Sequence, residues 1–369
     1  MPDNSRPIPE PGTPRGSRRG RHRSPRRTGL RIAAWTLAGA VAAGGALAGV
    51  AYLRLNGNLT SVDLDARLGT ERPQNVDNGS LDILVLGSDS RAGANAAYGR
   101  DTGARSDTAM VVHLYDHRKK ASIVSIPRDT LVDRPSCVQD NGATAPAAHD
   151  VMFNSAYTTG GPACSVKTVE HLTGIRMDHF VEIDFTGFKH LVDKLGGVKL
   201  TTTEPINDTS SHLNLPAGTH TLTGEQSLAL VRTRKSVGDG SDLGRIKLQQ
   251  TFLTALLTQV KHMGLLTSPT KLYGLADTAT SSITTDKDLS SITALTSLAK
   301  STSSLNSSTM QLITLPVTYD TQDPNRVRPL EPQSTQVWKA LKSDRRIPPT
   351  ALQNSAAEAE NANGTISSP

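Results

Sequence analysis

A chain of 369 residues has room for one large or two modest domains with a sizeable core, and 4% aromatic content makes that core mainly aliphatic. The net charge of +6 suggests nucleic-acid binding until it is divided along the chain. Residues 1–31 hold nine arginines against Asp3 and Glu10, net +7, which leaves 31 basic and 32 acidic side chains, net −1, over residues 32–369. The basicity therefore belongs to an N-terminal arm, and a nucleic-acid-binding domain is excluded.

Residues 1–31 are rich in Pro, Gly, Ser and Arg and are expected to be a disordered arm. The uncharged run Ile32–Leu53, flanked by Arg31 and Arg54, follows. As a helix it would extend about 33 Å, enough to cross a bilayer core. The arginines on its N-terminal side place the arm in the cytoplasm and the rest of the chain outside, a single-pass membrane protein. A cleaved signal peptide ending near Ala46-Leu47-Ala48 is the competing reading, and it exports the domain equally. Residues 54–80 read as a polar extracytoplasmic stalk.

From Leu81 the pattern becomes one of short β-branched runs: Leu81–Gly87, Thr108–Tyr115, Ala121–Ile126, His179–Phe185, Gly197–Thr202 and Met310–Leu315. Helical patterns fall at Cys164–Leu172, Gly187–Leu195, Gly224–Val231 and Leu243–Met263. Together they predict a layered α/β/α domain over 81–350 with a central mixed β-sheet, preceded by one transmembrane helix. Residues 351–369 read as a disordered tail. The two cysteines, Cys137 and Cys164, lie in the exported part, where a disulfide is expected and two buried free thiols are the alternative.

Arginines and aspartates recur where these elements end. Asp89 and Arg91 follow the first strand, Arg105 and Asp107 precede the second, and Arg128 follows the third. Arg232 and Arg234 follow a helical stretch, and Asp242, Arg245 and Gln249 open the long helix, the last two sharing one face at i and i+4. Ends of strands are where open α/β sheets bind ligands. Guanidiniums grip phosphate oxygens with a fork, and paired carboxylates hold a hard divalent cation. Taken singly, each residue is as readily a surface ion pair, and Asp242 a helix cap. Five such clusters at element ends favour one site for a pyrophosphate and a metal.

These segments, namely Leu84-Val-Leu-Gly-Ser-Asp-Ser-Arg91, Arg105-Ser-Asp-Thr108, Ser125-Ile-Pro-Arg-Asp-Thr130 and Asn154-Ser-Ala156, resemble successive signatures of the LytR–CpsA–Psr family. So do Phe185-Thr-Gly-Phe188, Asp193-Lys-Leu-Gly-Gly-Val198, the run Leu222–Arg234, Asp242-Leu-Gly-Arg245 and Gln249-Gln250. The resemblance implies a membrane-anchored transferase moving a glycopolymer from a polyprenyl-pyrophosphate carrier to peptidoglycan. It implies Mg²⁺ or Mn²⁺ held by Asp89 and Asp107, and a pyrophosphate held by Arg91, Arg105, Arg128, Arg232, Arg234, Arg245 and Gln249. Asp242 would orient the arginines, so that Asp89, Arg105, Asp107, Arg128, Asp242 and Arg245 form the catalytic group. Two departures stand out: a long Ala92–Ala104 segment, and Leu248 where many members carry arginine. A polyprenyl-pyrophosphate hydrolase and a non-catalytic lipid-binding regulator are the alternative functions. Two SxxK matches, Ser268–Lys271 and Ser297–Lys300, lack companion motifs and are set aside. His149 and His179 read as structural polar residues.

Overall fold

The computed structural model describes residues 25–89, 106–139, 141–233, 242–263, 268–361 and 366–367, with backbone alone at 25–41, 359–361 and 366–367. Helix α1 (Pro25–Asn58) covers the apolar run. Among the described residues no helix is long and apolar enough to cross a membrane, and the side chains of that run up to Val41 lie outside them. Residues 1–24 of the expected arm also lie outside them. Two compact units meet at Val50, and the second, Ala51–Pro369, carries the folded domain.

The second unit is built on seven strands: β1 (Thr60–Val62), β2 (Leu81–Ser88), β3 (Ser106–Leu114), β4 (Ala121–Ile126), β5 (His179–Asp184), β6 (Ile283–Asp286) and β7 (Met310–Thr314). Their order is β1-β6-β5-β2-β3-β4-β7. The β1–β6, β2–β5 and β4–β7 pairs are parallel and the other three antiparallel, giving the expected mixed sheet. The strands read as near-continuous apolar runs because both faces are covered. Leu84, Leu86, Val111 and Val124 point into the main core with Val166 and Val169 of α3 (Asn154–Thr173). Ile83, Val85, Val112 and Leu114 face Leu298 and Leu305 on the other side.

The expected stalk is part of this domain. β1 joins the edge of the sheet, and Leu64 and Leu68 of the short α2 (Leu64–Leu68) are buried in the main core. The expected tail is likewise corrected. Ala351 and Ala357 are buried in that core, and Ile366–Ser367 pair with the strand Val198–Thr202. Alanine-rich, polar sequence hides such segments because few of their positions need to be buried. α3 begins ten residues before its predicted start because Gly160, Gly161 and Pro162 interrupt the pattern, and a backbone kink falls at Gly160–Gly161.

A second core lies between α4 (Phe185–Lys194), α5 (Gly224–Arg232), α6 (Asp242–His262) and the strands Val198–Thr202, Ile206–Asp208, Leu213–Leu215 and Gly218–Leu222. Several family-motif residues serve only to build it. The Thr223 hydroxyl accepts from the Gln226 backbone N–H (3.3 Å) while the Gln226 side chain accepts from the Thr223 N–H (3.1 Å), a capping box that starts α5. Asp193 accepts from the Gly224 N–H at 2.7 Å. Gly197 has φ of 89°, and a Cβ there would meet the Leu222 carbonyl at 2.8 Å, so only glycine fits the turn. His179 donates to Asp286 (3.1 Å) and clips β5 to β6, the structural role expected of it, while His149 pairs with Asp133 on the surface.

Cys137 and Cys164 form a disulfide that ties the hairpin Cys137–Val138/Thr144–Ala145 to α3. The bridge is buried with Ala156 and closes 27 residues. Replacing both cysteines by serine should lower stability by roughly 2–5 kcal/mol, the usual cost of losing a native bridge. Urea unfolding of the variant beside the wild type measures it, and an unchanged midpoint would show the hairpin to be held by packing alone.

Candidate functional site

The site forms where β2, β4 and β5 end and β3 begins. In the β2–β3 ladder Gly87 faces Thr108 but Ser88 faces Ser106, so Asp107 is the extra residue of a β-bulge. Bulges re-aim a side chain out of the ladder. Asp89 leaves β2 one residue beyond this irregularity and is buried. Both carboxylates thus stand at the same end of the sheet's two central strands.

Arg128 follows β4 and reaches across to Asp107 at this end of the sheet. Its Nη1 donates to Asp107 Oδ1 at 2.7 Å. Its Nε faces Asp129 Oδ2 at 3.5 Å and Asp242 Oδ1 at 3.9 Å. Burial works against the guanidinium charge, but Asp107, Asp129 and Asp242 outweigh it and push the arginine above its ordinary value. Arg128 is a fixed cation at any accessible pH.

The first turns of α6 supply the rest. Asp242 Oδ2 accepts from the Arg128 backbone N–H at 3.0 Å, and its other oxygen pairs with Arg245 one turn on. Arg245 in turn donates from Nη2 to the Asp107 carbonyl at 3.0 Å. Gln249 Nε2, a further turn along, bridges Thr108 Oγ1 (3.0 Å) and the Val231 carbonyl (3.1 Å). Asp242 therefore joins the β4 loop to Arg245 on α6. Gln249 joins β3 to the end of α5, where the Arg232 guanidinium lies 4.7 Å over the Phe185 ring.

These residues surround a cleft of about 280 Å³ lined by Asp107, Arg128, Asp208, Ser210, Ser211, Arg232 and Arg245. Arg91, Arg105 and Arg234 lie outside the described residues. Sequence reasoning missed Asp208, Ser210 and Ser211, which come from a hairpin without a motif, and passed over Asp129, although it stands inside one. Leu248 is buried in the second core, so its side chain is committed to packing.

The donor set suits a hard divalent cation only in part. Among the described residues no group of three or more His, Cys, Asp or Glu side chains is placed to hold a metal. Asp89 and Asp107 supply two carboxylates, and magnesium commonly takes one or two carboxylates with phosphate and water completing the shell. The residues present therefore fit a cation that arrives with, or is completed by, a phosphate ligand.

A cleft lined by arginines and aspartates at the end of a mixed α/β sheet is the class of site that this geometry defines. The LytR_cpsA_psr family model matches residues 51–343, and the chain belongs to that family. It is 33% identical over 256 residues to the probable cell wall biosynthesis protein LcpB of Corynebacterium glutamicum, covering 68% of this chain and 57% of that one. With LcpA of the same organism the match covers 51% of the relative, so the chain spans little more than half the length of these two. It is 33% identical over 245 residues to the polyisoprenyl-teichoic acid–peptidoglycan teichoic acid transferase TagT of Bacillus subtilis, covering 63% and 71%. Among solved structures, TagT bound to LI-WTA superposes with a TM-score of 0.55 at 27% identity, covering 77% of this chain and 98% of that one. The LytR-Csp2A-Psr enzyme from Actinomyces oris shares the fold, with a TM-score of 0.57 at 24% identity over 77% and 96%.

Proposed function

We propose that this protein is a cell-envelope transferase that moves a phosphate-linked glycopolymer from a polyprenyl-pyrophosphate carrier to peptidoglycan. The observation that carries the reading is the convergence of Arg128, Arg232 and Arg245 on one cleft beside Asp107. Forked guanidiniums fixed by neighbouring carboxylates are preorganised for a diphosphate, and little needs to move when it binds. The relatives named as teichoic acid transferases add chemical support from proteins of the same family.

In the reaction, a peptidoglycan hydroxyl attacks the sugar-linked phosphorus. The new O–P bond forms as the bond to the bridging oxygen breaks, and polyprenyl monophosphate leaves. Arg128 and Arg245 offset the charge that develops on the phosphates. Arg232 holds the diphosphate from the α5 side. The hydroxyl proton passes to one of the carboxylates, Asp89 or Asp107. A Mg²⁺ or Mn²⁺ ion held by Asp89 and Asp107 would supply further charge neutralisation. Among the described residues, Arg128, Arg232 and Arg245 stand with Asp107, Asp129, Asp208 and Asp242 around the cleft, so a cation would offset carboxylate as well as phosphate charge.

Two features support a lipid-linked donor. On α6, Leu253, Leu256, Leu257 and Val260 are only half-buried, which leaves apolar surface beside the second core for a prenyl chain. β1 starts at the same end of the sheet as the site, since Thr60 aligns through β6 and β5 with the end of β2. The reading gains support from that entry point, which puts the start of β1 and the cleft at one end of the sheet. Leu47, Val50 and Leu53 of α1 are exposed apolar residues, as a membrane anchor requires.

The test incubates the full chain in detergent with a synthetic polyprenyl-diphosphate glycan, Mg²⁺ and a peptidoglycan oligomer, and identifies products by mass spectrometry. Glycan joined to the oligomer through a phosphodiester is expected, and Asp107→Ala should abolish it. Glycan phosphate released into water with acceptor in excess would make the protein a hydrolase. Donor binding without turnover under either metal would make it a lipid-binding regulator.

A further inference from the structure

Arg326 lies far from every motif, in the segment that the family resemblance left without a role. It precedes the second strand of a small hairpin, Val317–Tyr319 paired with Val327–Pro329. That hairpin docks on the loop carrying Arg128. Thr130 bridges Val327 in parallel register, and the Val327 N–H donates to the Asp129 carbonyl at 3.4 Å. The Arg326 backbone N–H is fixed to the Asp323 carbonyl at 2.8 Å, and its Nε faces the Asp323 carboxylate at 3.5 Å.

From this position Arg326 Nη1 reaches Asp129 Oδ1 at 3.5 Å. The other oxygen of the same buried carboxylate faces Arg128 Nε, also at 3.5 Å. Asp129 is thus held between two guanidiniums, one in the cleft and one on the hairpin. Without the second, its full charge would fall on Arg128 and oppose an incoming phosphate. With it, Asp129 keeps the Arg128 plane in position while its field is largely cancelled.

We propose that Arg326 is a positioning residue for the diphosphate site, acting through Asp129 to keep Arg128 available to phosphate. The inference rests on the transferase reading for its biological meaning, but its central test needs only phosphate affinity. Residues within one ion-pair network commonly couple by about 0.5–3 kcal/mol. About tenfold weaker binding is therefore expected when Arg326 is replaced.

The experiment is a double-mutant cycle on the full chain in detergent, read by calorimetric titration with inorganic pyrophosphate and Mg²⁺. Arg326→Gln should weaken binding about tenfold, while in an Asp129→Asn background the same change should cost less than about twofold. Arg326→Lys, which keeps the charge, should recover most of the affinity. In the transfer assay Arg326→Gln should act on the donor side and leave the acceptor KM unchanged. Additive losses in the cycle, unchanged affinity in Arg326→Gln, or an effect confined to the acceptor KM would each overturn the proposal. Absence of transfer by the wild type would sink the functional reading alone, because the pyrophosphate cycle would still report on Arg326. Thermal melts of each variant separate a loss of the site from a loss of the fold.

Discussion

Arg128→Ala is expected to lower glycopolymer transfer by about 10²- to 10³-fold, the usual cost of removing one preorganised donor to a developing charge. Arg128 joins three carboxylates of the site: Asp107 through Nη1, Asp129 and Asp242 on its Nε side, and Asp242 again through its backbone. The substitution removes a side chain that ties the β-bulge directly to the β4 loop. It also leaves three carboxylates facing one another beside the cleft, which repels the phosphates that the site must attract. The loss should appear in kcat as well as in donor KM, because leaving-group charge peaks in the transition state. Arg128→Lys should recover only a small part, since one ammonium cannot serve Asp107 and the Asp129–Asp242 side together. Initial rates with mass-spectrometric product analysis measure both variants. A loss below about tenfold would mean that another cation carries the leaving phosphate, and the site would need redrawing.

The parts legible in the sequence are those where local pattern and final environment agree. β2, β3 and β4 are apolar on both faces and bordered by polar turns, so their positions followed within two residues. The Arg and Asp residues at their ends could be singled out because residue type and position coincide. What sequence could not supply was the bulge at Asp107, which depends on the register of two strands. Nor could it supply the pairing of Asp129 with Arg326, which depends on where a late hairpin docks. Short edge strands escaped for a different reason. The edge strand β1 is only Thr60–Val62 and read as stalk, and its neighbour β6 is only Ile283-Thr-Thr-Asp286. Gln226 and Asp193 show the opposite error, since motif membership alone would have drawn them toward chemistry when they cap and pin α5.

The apolar pattern of β2 and β3 also concealed a charged core pair. Asp82 and His113 are direct cross-strand partners within these runs, at the end of the sheet away from the cleft. His113 Nδ1 lies 2.8 Å from Asp82 Oδ1 and Nε2 3.1 Å from Asp344 Oδ1, with the His113 side chain fully buried. Asp344 follows the helix Gln333–Lys342 in a left-handed conformation, φ 50°, so the histidine staples the end of that helix to the sheet. Burial opposes the imidazolium, but the Asp82 and Asp344 carboxylates prevail and hold His113 above its ordinary value. Because the folded value exceeds the unfolded one, this stabilisation is complete below about pH 6.5 and is lost as pH rises through the folded value. His179, raised by Asp286 against burial, adds to the decline with the same sign. Wild-type stability should therefore fall as pH rises above about 6.5 in urea unfolding. His113→Leu should cost about 3–5 kcal/mol near pH 6, because it leaves Asp82 buried without its cation. It should also flatten the pH profile to the part contributed by His179. Adding Asp82→Leu should restore much of the loss, since an apolar pair can replace a buried ion pair at little cost. A wild-type profile that rises across this window would show His113 to be neutral in the fold, and the staple would then be two hydrogen bonds without a charge.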